Sequence, residues 1–326
     1  MAPDQPSAQL FVGVDIGGTK VAAGLVDHEG EIREQRRTPM VANQDAAAGL
    51  AAVVSAIDSL LQHAPGAKSS IGGIGICAPG PLDPYTGLVI NPPNLPCWRG
   101  FPLAAEISRI YRVPVKVDND ANAAALAEVR WGAGRGYSKV FYATIGTGIG
   151  TGIVFDGAIY HGRTGAAGEG GHMSIDYRGP RCGCGKPGCI EVLASGPAIA
   201  RRARAKLSES GGVSLLRDLA GGEINAVTTE MVGRAYAAGD ALATQVLEEI
   251  VELLTVWLSN IVDLLEPDIM IVGGGVAKML SGFFARIRNR LPQVCVNPRP
   301  QEIPLVLARY EAEAGIAGGA ALCWNN

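Results

Sequence analysis

The chain has 326 residues, 48% of them hydrophobic, and a formal net charge of −3. The length suits two domains of ordinary size with a substantial core, and so small a charge gives no ground for expecting a nucleic-acid or membrane partner. No uncharged apolar run reaches the ~18 residues that a membrane-spanning helix needs.

Taken in chain order, Met1 to Gln9 is polar with two prolines. It lacks the basic start and apolar centre of an export signal and is expected to be a disordered tail. Leu10 to Asp15 reads as a strand, Ile16 to Lys20 as a glycine turn and Val21 to Val26 as the return strand of a hairpin. Helical periodicity covers Asp45 to Gln62. Ile71 to Cys77 is an apolar strand, followed by loops at Ala78 to Leu82 and Asn91 to Leu95. A short helix over Pro102 to Tyr111 precedes a strand at Val113 to Val117. That strand delivers Asp118-Asn119-Asp120 to the start of an alanine-rich helix, Ala121 to Arg130. Loops at the carboxyl ends of strands are where α/β proteins place ligands.

A second hairpin follows, with strands Val140 to Ile145 and Thr151 to Phe155 joined by Gly146 to Gly150. Two strand–glycine turn–strand units about 130 residues apart hint at a duplication. Pro197 to Leu207 and Ala241 to Leu265 are helical, Ile269 to Val272 is a buried strand ending at Gly273-Gly274-Gly275, and Glu313 to Trp324 is a helix of small residues. The alternation predicts an α/β protein with mixed sheets. Residues 10–118 with 312–326 are expected to form a small domain, and residues 119–311 a large one.

Three of the glycine turns follow strands: Asp15-Ile16-Gly17-Gly18-Thr19-Lys20, Gly146-Thr147-Gly148 and Gly273-Gly274-Gly275. Glycine lets backbone N–H groups converge on phosphate oxygens, and Thr19, Thr147 and Lys20 add donors. Asp15 can hold Mg²⁺ directly or through water. A single such turn is common in proteins without phosphate ligands; three together are not. There is no GxxxxGK[ST] and no GxGxxG opening a helix after the first strand, which argues against a Walker-type ATPase and a Rossmann dehydrogenase.

The segment Glu169-Gly170-Gly171-His172, then Cys182-Gly183-Cys184 and Cys189-Ile190-Glu191, offers one histidine and three thiols, a complete tetrahedral zinc set. A chance clustering is the weaker reading, since three of the seven cysteines fall within eight residues. A disulfide would leave one thiol over. A filled Cys3His set has no open position for catalysis, so the expected zinc in loop 169–191 is structural and presents Glu169 and Glu191 to something else. An odd cysteine count with no export signal fits a reducing cytoplasm. Asp120, between Asn119 and Asn122, is either a helix cap or a general base. Position alone favours the cap; the phosphate turns and the carboxylate-bearing loop favour the base.

These residues together, with Ala78-Pro79-Gly80-Pro81 and Pro93-Asn94-Leu95, resemble the ROK family of sugar kinases over nearly the whole chain, most closely its bacterial glucokinases. The resemblance implies an actin-like (ribonuclease H-like) two-domain fold with ATP and sugar in a cleft between the domains. It implies Asp120 as general base and Asn94, Asn119, Glu169, His172 and Glu191 as sugar ligands. Zinc falls on His172, Cys182, Cys184 and Cys189, with one ring nitrogen of His172 on the metal and the other toward the sugar. The ATP side maps to Gly17, Gly18, Thr19, Thr147 and Gly273-Gly274-Gly275. The expected reaction transfers the γ-phosphate of MgATP to the 6-hydroxyl of glucose. N-acetylmannosamine, fructose or allose as substrate, polyphosphate as donor, and a non-catalytic sugar sensor remain alternatives. The family also suggests a homodimer or homotetramer. Only fourteen residues precede Asp15, too few for the DNA-binding domain of the family's repressors. Cys97-Trp98-Arg99 departs from relatives and is expected to tune specificity.

Overall fold

Strands β1 (Leu10–Ile16) and β2 (Lys20–Val26) are dense in Val, Leu and Ile and pair antiparallel from Phe11↔Val26 to Ile16↔Val21. The computed structural model describes residues 9–64, 66, 70–209 and 213–324, so the expected tail lies, apart from Gln9, outside the described residues. Strand β3 (Ile32–Pro39) adds antiparallel to β2. Helix α1 (Ala46–His63) is capped by Asp45, whose side chain accepts from the Ala48 N–H at 2.8 Å. By length and composition α1 is the one described helix able to cross a membrane. Its Val53, Ala56, Ile57 and Leu60 are buried, and the helix packs on β2 and β3.

Strand β4 (Ile71–Ala78) runs parallel to β1, the small hairpin β5 (Leu82–Asp83)–β6 (Leu88–Val89) and α2 (Leu103–Tyr111) follow, and β7 (Val115–Asn119) runs parallel to β4. The resulting sheet has the order β3-β2-β1-β4-β7. Helix α3 (Asp120–Trp131) leads to β8 (Lys139–Ile145), β9 (Ile149–Phe155) and β10 (Ala158–Ile159). The chain then forms α4 (Ile190–Ala194), α5 (Gly196–Glu209), α6 (Leu215–Leu219), α7 (Thr229–Ala237), α8 (Ala241–Leu265), β11 (Ile269–Gly273), α9 (Gly275–Leu280), α10 (Phe284–Arg290), β12 (Leu305–Leu307) and α11 (Ala314–Cys323). The second sheet has the order β10-β9-β8-β11-β12. Both sheets thus place a glycine-turned hairpin beside two parallel strands. That is the actin-like (ribonuclease H-like) α/β class expected from the sequence.

Two compact units result. Unit 1 holds the described residues of Met1–Ser138, Gly152–Gly168 and Arg309–Asn326; unit 2 holds Lys139–Thr151 and Glu169–Ala308. The sequence placed the break near Asp118. Unit 1 extends past it to include α3, because Gly318 of α11 packs against Ala123 of α3.

In unit 1, apolar residues of α1 and α2 cover one face of the sheet, while α3 and α11 cover the other. On the second face, sheet and helix meet without an intervening side chain at two glycines. A Cβ at Gly13 would lie 1.8 Å from the Ile316 carbonyl oxygen, and one at Gly75 would lie 1.7 Å from that of Gly319. Backbone meets backbone there, and neither can retreat. Gly75→Ala should therefore destabilise unit 1 by at least ~3 kcal/mol, beyond ordinary overpacking. Urea unfolding followed by circular dichroism checks this; a loss under ~1 kcal/mol would show that α11 shifts freely.

Candidate active site and metal centre

In unit 1 the parallel strands β1, β4 and β7 set Asp15 beside Cys77 and Cys77 beside Asp118, with Ala78 beside Asn119. Paired positions on parallel strands share a face, so the carboxyl ends of these strands gather acidic side chains. Asp15 is half-buried, and its carboxyl is raised above the ordinary range, first by burial and then by the charge of Asp120. Lys20 and Arg37 pull it back down.

The β7–α3 junction decides between cap and base. Asn119 is the cap: its backbone is extended and its Oδ1 accepts from the Ala121 N–H at 2.9 Å. Asp120 is the first helical residue, and its Oδ1 accepts from the same N–H at 2.8 Å. Solvent reaches the Asp120 side chain, yet protein surrounds it as densely as a buried group. Loss of hydration raises this carboxyl, against the lowering effect of its hydrogen bonds to Ala121 and Asn119.

Asn94 comes to the same end of unit 1. A Cβ at Gly18 would lie 3.0 Å from the Asn94 carbonyl oxygen, so the Gly17–Gly18 turn runs flush against that residue. Thr19 and Lys20 are exposed. The Asn94 loop is pinned by Cys97, whose N–H donates to the Ala42 carbonyl at 3.0 Å, and by Trp98, whose Nε1–H donates to Ala46 at 3.3 Å. Trp98 is fully buried and stacked on Phe101. The segment expected to tune specificity therefore anchors this loop through Trp98.

Unit 2 brings two of the three glycine turns together. Gly274 has φ +87°, and a Cβ there would lie 2.4 Å from the Ile145 carbonyl oxygen, so the Gly273-Gly274-Gly275 turn abuts the end of β8. The Gly146 carbonyl accepts from the Gly196 N–H at 2.8 Å, which sets the start of α5 beside the Gly146-Thr147-Gly148 turn. A cavity of about 1030 Å³ opens here, lined by Gly146, Thr147, Gly275, Arg204, Glu230 and Arg234 among others. That is the upper end of the range for small-molecule sites. Its walls come from α5, α7 and α9 and carry no local motif, so only the glycines were legible beforehand. The third turn, Asp15 to Lys20, lies in unit 1 with Asn94 and Asp120.

The loop bearing the Cys3His set lies flush on β9. The Gly170 N–H donates to Thr151 Oγ1 at 2.7 Å, and Trp257 Nε1–H donates to the Gly170 carbonyl at 3.0 Å. A Cβ at Gly171 would lie 1.8 Å from the Ile149 carbonyl oxygen. The ligand atoms of His172, Cys182, Cys184 and Cys189 lie within 4.8 Å of one another. Cys184 and Cys189 Sγ are 3.6 Å apart, and Cys182 Sγ is 3.6 Å from His172 Nδ1. A regular tetrahedron with ordinary zinc bond lengths has edges of about 3.8 Å between sulfurs and about 3.6 Å from sulfur to nitrogen. The donor set thus fits zinc in chemistry, and two of its ligand pairs have the zinc spacing. All seven cysteines are free. Burial, reinforced by the neighbouring thiols, pushes the Cys189 thiol up to about 12, a crowding that a bound cation would relieve.

His172 turns Nδ1 to this set, and its Nε2 is the ring nitrogen left for a second partner. Glu191, in the first turn of α4, accepts from the Ile149 N–H through Oε2 at 3.0 Å. Its Oε1 is 3.9 Å from His172 Nδ1. It therefore links the Cys3His cluster to the Gly146–Gly148 turn. Glu169 is exposed at the start of the short 3-10 turn Gly170–His172.

The sequence profile of the ROK family matches residues 11–326. A glucokinase of Halalkalibacterium halodurans is 34% identical over 314 residues, covering 96% of this chain and 94% of its own. An N-acetylmannosamine kinase of Escherichia fergusonii is 33% identical, covering 95% and 96%. The crystal structure of a ROK family glucokinase from Streptomyces griseus, in complex with glucose and AMPPNP, superposes with a TM-score of 0.81 at 32% identity, covering 96% of this chain and 98% of that one. With its two matching sheets, its Cys3His loop and a family match running to its last residue, the chain belongs to the ROK family.

Proposed function

We propose that this chain is an ATP-dependent hexose kinase that phosphorylates the 6-hydroxyl of glucose. The observation that carries the reading is Asp120: a carboxylate at the carboxyl end of a parallel strand in unit 1, raised by loss of hydration, whose charge in turn raises a second carboxylate, Asp15. A general base works best when its pKa approaches the operating pH.

In this reading Asp120 accepts the proton of the attacking hydroxyl. The new bond joins that oxygen to the γ-phosphorus, the bond to the β-phosphate bridging oxygen breaks, and ADP leaves with the electron pair. Asn94 and Asn119 orient sugar hydroxyls with their amides, and Glu169, Glu191 and His172 Nε2 hold others. MgATP is a substrate: Asp15 anchors its metal, the glycine-turn amides and Thr147 bind phosphate oxygens, and the cavity of unit 2 takes the nucleoside. Positioning and electrostatics supply the rate. Zinc on His172, Cys182, Cys184 and Cys189 is structural; it fixes the ring of His172 and the loop bearing Glu169 and Glu191.

The similarity to an N-acetylmannosamine kinase at nearly the same identity supports a second reading, a kinase for another hexose. A coupled ADP-release assay with MgATP against glucose, mannose, fructose, N-acetylglucosamine and N-acetylmannosamine separates the two. We expect glucose to dominate. A dominant N-acetylmannosamine rate would move the substrate and keep the base. Silence with every sugar would overturn the kinase reading in favour of a sugar sensor.

A further inference from the structure

Asp118 has no role in the reaction so far, yet it is among the most elaborately bonded carboxylates in unit 1. It is 3% exposed. Its Oδ1 accepts from the Asn119 backbone N–H at 2.7 Å and from Asn122 Nδ2 at 3.1 Å. These two donors bracket Asp120: one belongs to the residue before it, the other to the residue two after it. The second oxygen, Oδ2, lies 2.6 Å from His161 Nε2. A carboxylate at such a contact accepts, so Nε2 carries the hydrogen. Asn122 Oδ1, also buried, has no hydrogen-bond partner among the described residues. The hold on Asn122 therefore runs through its donation to Asp118.

His161 is itself held from behind. Its carbonyl accepts from the Ala167 N–H at 3.1 Å, Tyr85 Oη donates to the neighbouring Gly162 carbonyl at 3.2 Å, and the Tyr85 ring meets the imidazole edge to face at 5.6 Å. The imidazole is thus a fixed donor to the oxygen of Asp118 that the helix start leaves over. Without it, a buried carboxylate oxygen would lack a partner and turn toward water. That rotation would carry the Asn119 N–H and the Asn122 amide with it.

We propose that His161, acting through Asp118, is a positioning residue that sets the angle of Asp120 toward the hydroxyl it deprotonates. The inference rests on the kinase reading. It assigns His161 no contact with substrate. Misplacing a reacting group by about 1 Å costs on the order of 100-fold in rate, and the nucleotide-binding groups assigned to unit 2 are untouched. His161→Ala should therefore lower kcat by roughly 100-fold and leave KM for MgATP within about twofold. His161→Gln keeps an N–H within reach of Asp118 and should recover kcat to within about fivefold of wild type, a rescue expected if the N–H···O bond is what matters. Combined with Asp118→Asn, His161→Ala should add little further loss, because the two residues act as one unit.

The test measures kcat and KM for wild type, the two His161 variants, Asp118→Asn and the double variant, with a melting temperature for each. Inactive wild type would refute the kinase reading itself, before any variant is compared. Active wild type with unchanged kcat in His161→Ala overturns the positioning role. So does a His161→Gln enzyme as slow as His161→Ala, or single losses that multiply in the double variant. If His161→Ala does not fold, His161→Gln decides alone: kcat near wild type supports the role, and a folded enzyme roughly 100-fold slower overturns it.

Discussion

Asp120→Asn should lower kcat for sugar phosphorylation by at least ~100-fold, the low end of general-base contributions, with the fold and KM for MgATP preserved. The substitution is nearly isosteric, and Asn caps and begins helices as readily as Asp. The Ala121 N–H that Asp120 Oδ1 accepts keeps an acceptor in the amide oxygen. What disappears is the capacity to take a proton. The pH profile gives an independent check. Loss of hydration raises the carboxyl of Asp120, so its protonated, inactive form persists to higher pH than in an ordinary aspartate at about 3.9. Activity should therefore fall on acidification through a limb displaced above that value, and the residual rate of the variant should lack the limb. Near-wild-type kcat in a folded Asp120→Asn protein would remove Asp120 from the role of base.

Cys184→Ser should lose zinc and sugar affinity together. Cys184 is the exposed member of the set, so the substitution leaves no cavity in a core. Its Sγ lies 3.6 Å from Cys189, and a serine hydroxyl is a poor zinc ligand beside a thiolate. The loop that zinc on this set would fix carries Glu169, His172 and Glu191. Freeing it should raise KM for the sugar by about 10-fold or more, the scale seen when support around a metal site is lost. The cavity of unit 2 is lined by α5, α7, α9 and the glycine turns, so nucleotide affinity should change little. Metal analysis with nucleotide and sugar titrations reads all three quantities. Zinc-free protein with unchanged sugar affinity would separate the metal from the sugar site, and equal loss of both ligands would mean that unit 2 as a whole had loosened.

Legibility in the sequence followed the range of the interactions involved. Helix α8 was bounded residue for residue, because Asp240 caps it, Pro267 forbids its extension, and the apolar stripe between them is its buried face. The clustering of His172, Cys182, Cys184 and Cys189 was legible because glycine spacing and ligand type lie within one loop. Strand β3 was missed: Ile32–Pro39 is rich in charge and half-exposed, as an edge strand is, and its pairing with β2 decides its conformation. The junction Asn119–Asp120 was placed, but which residue capped the helix turned on one position of register. Asp118 read only as the end of a strand, because its decisive partner, His161, is 43 residues away and neither sits in a recognisable pattern. The cavity walls were hidden for the same reason: three separate helices supply them.

Helix α11 shapes how the molecule comes to be made. The strands β1, β4 and β7, which carry Asp15 and deliver Asp120, leave the ribosome well before the helix that covers one of their faces. Gly315 of α11 sits against Asp15, and its carbonyl accepts from Cys77 Sγ at 3.0 Å across 238 residues of chain. Every residue of unit 2 must be synthesised before those contacts can form. Unit 1 is therefore begun first and finished last, with Phe11, Ala123 and Ala127 lacking their α11 neighbours in the interval. Unit 2 is contiguous apart from residues 152–168 and has no such wait. Closing so long a loop is slow, and an open apolar sheet face invites association. The order of synthesis is thus not the order of completion: the unit that holds the first strands is the last to have its sheet covered.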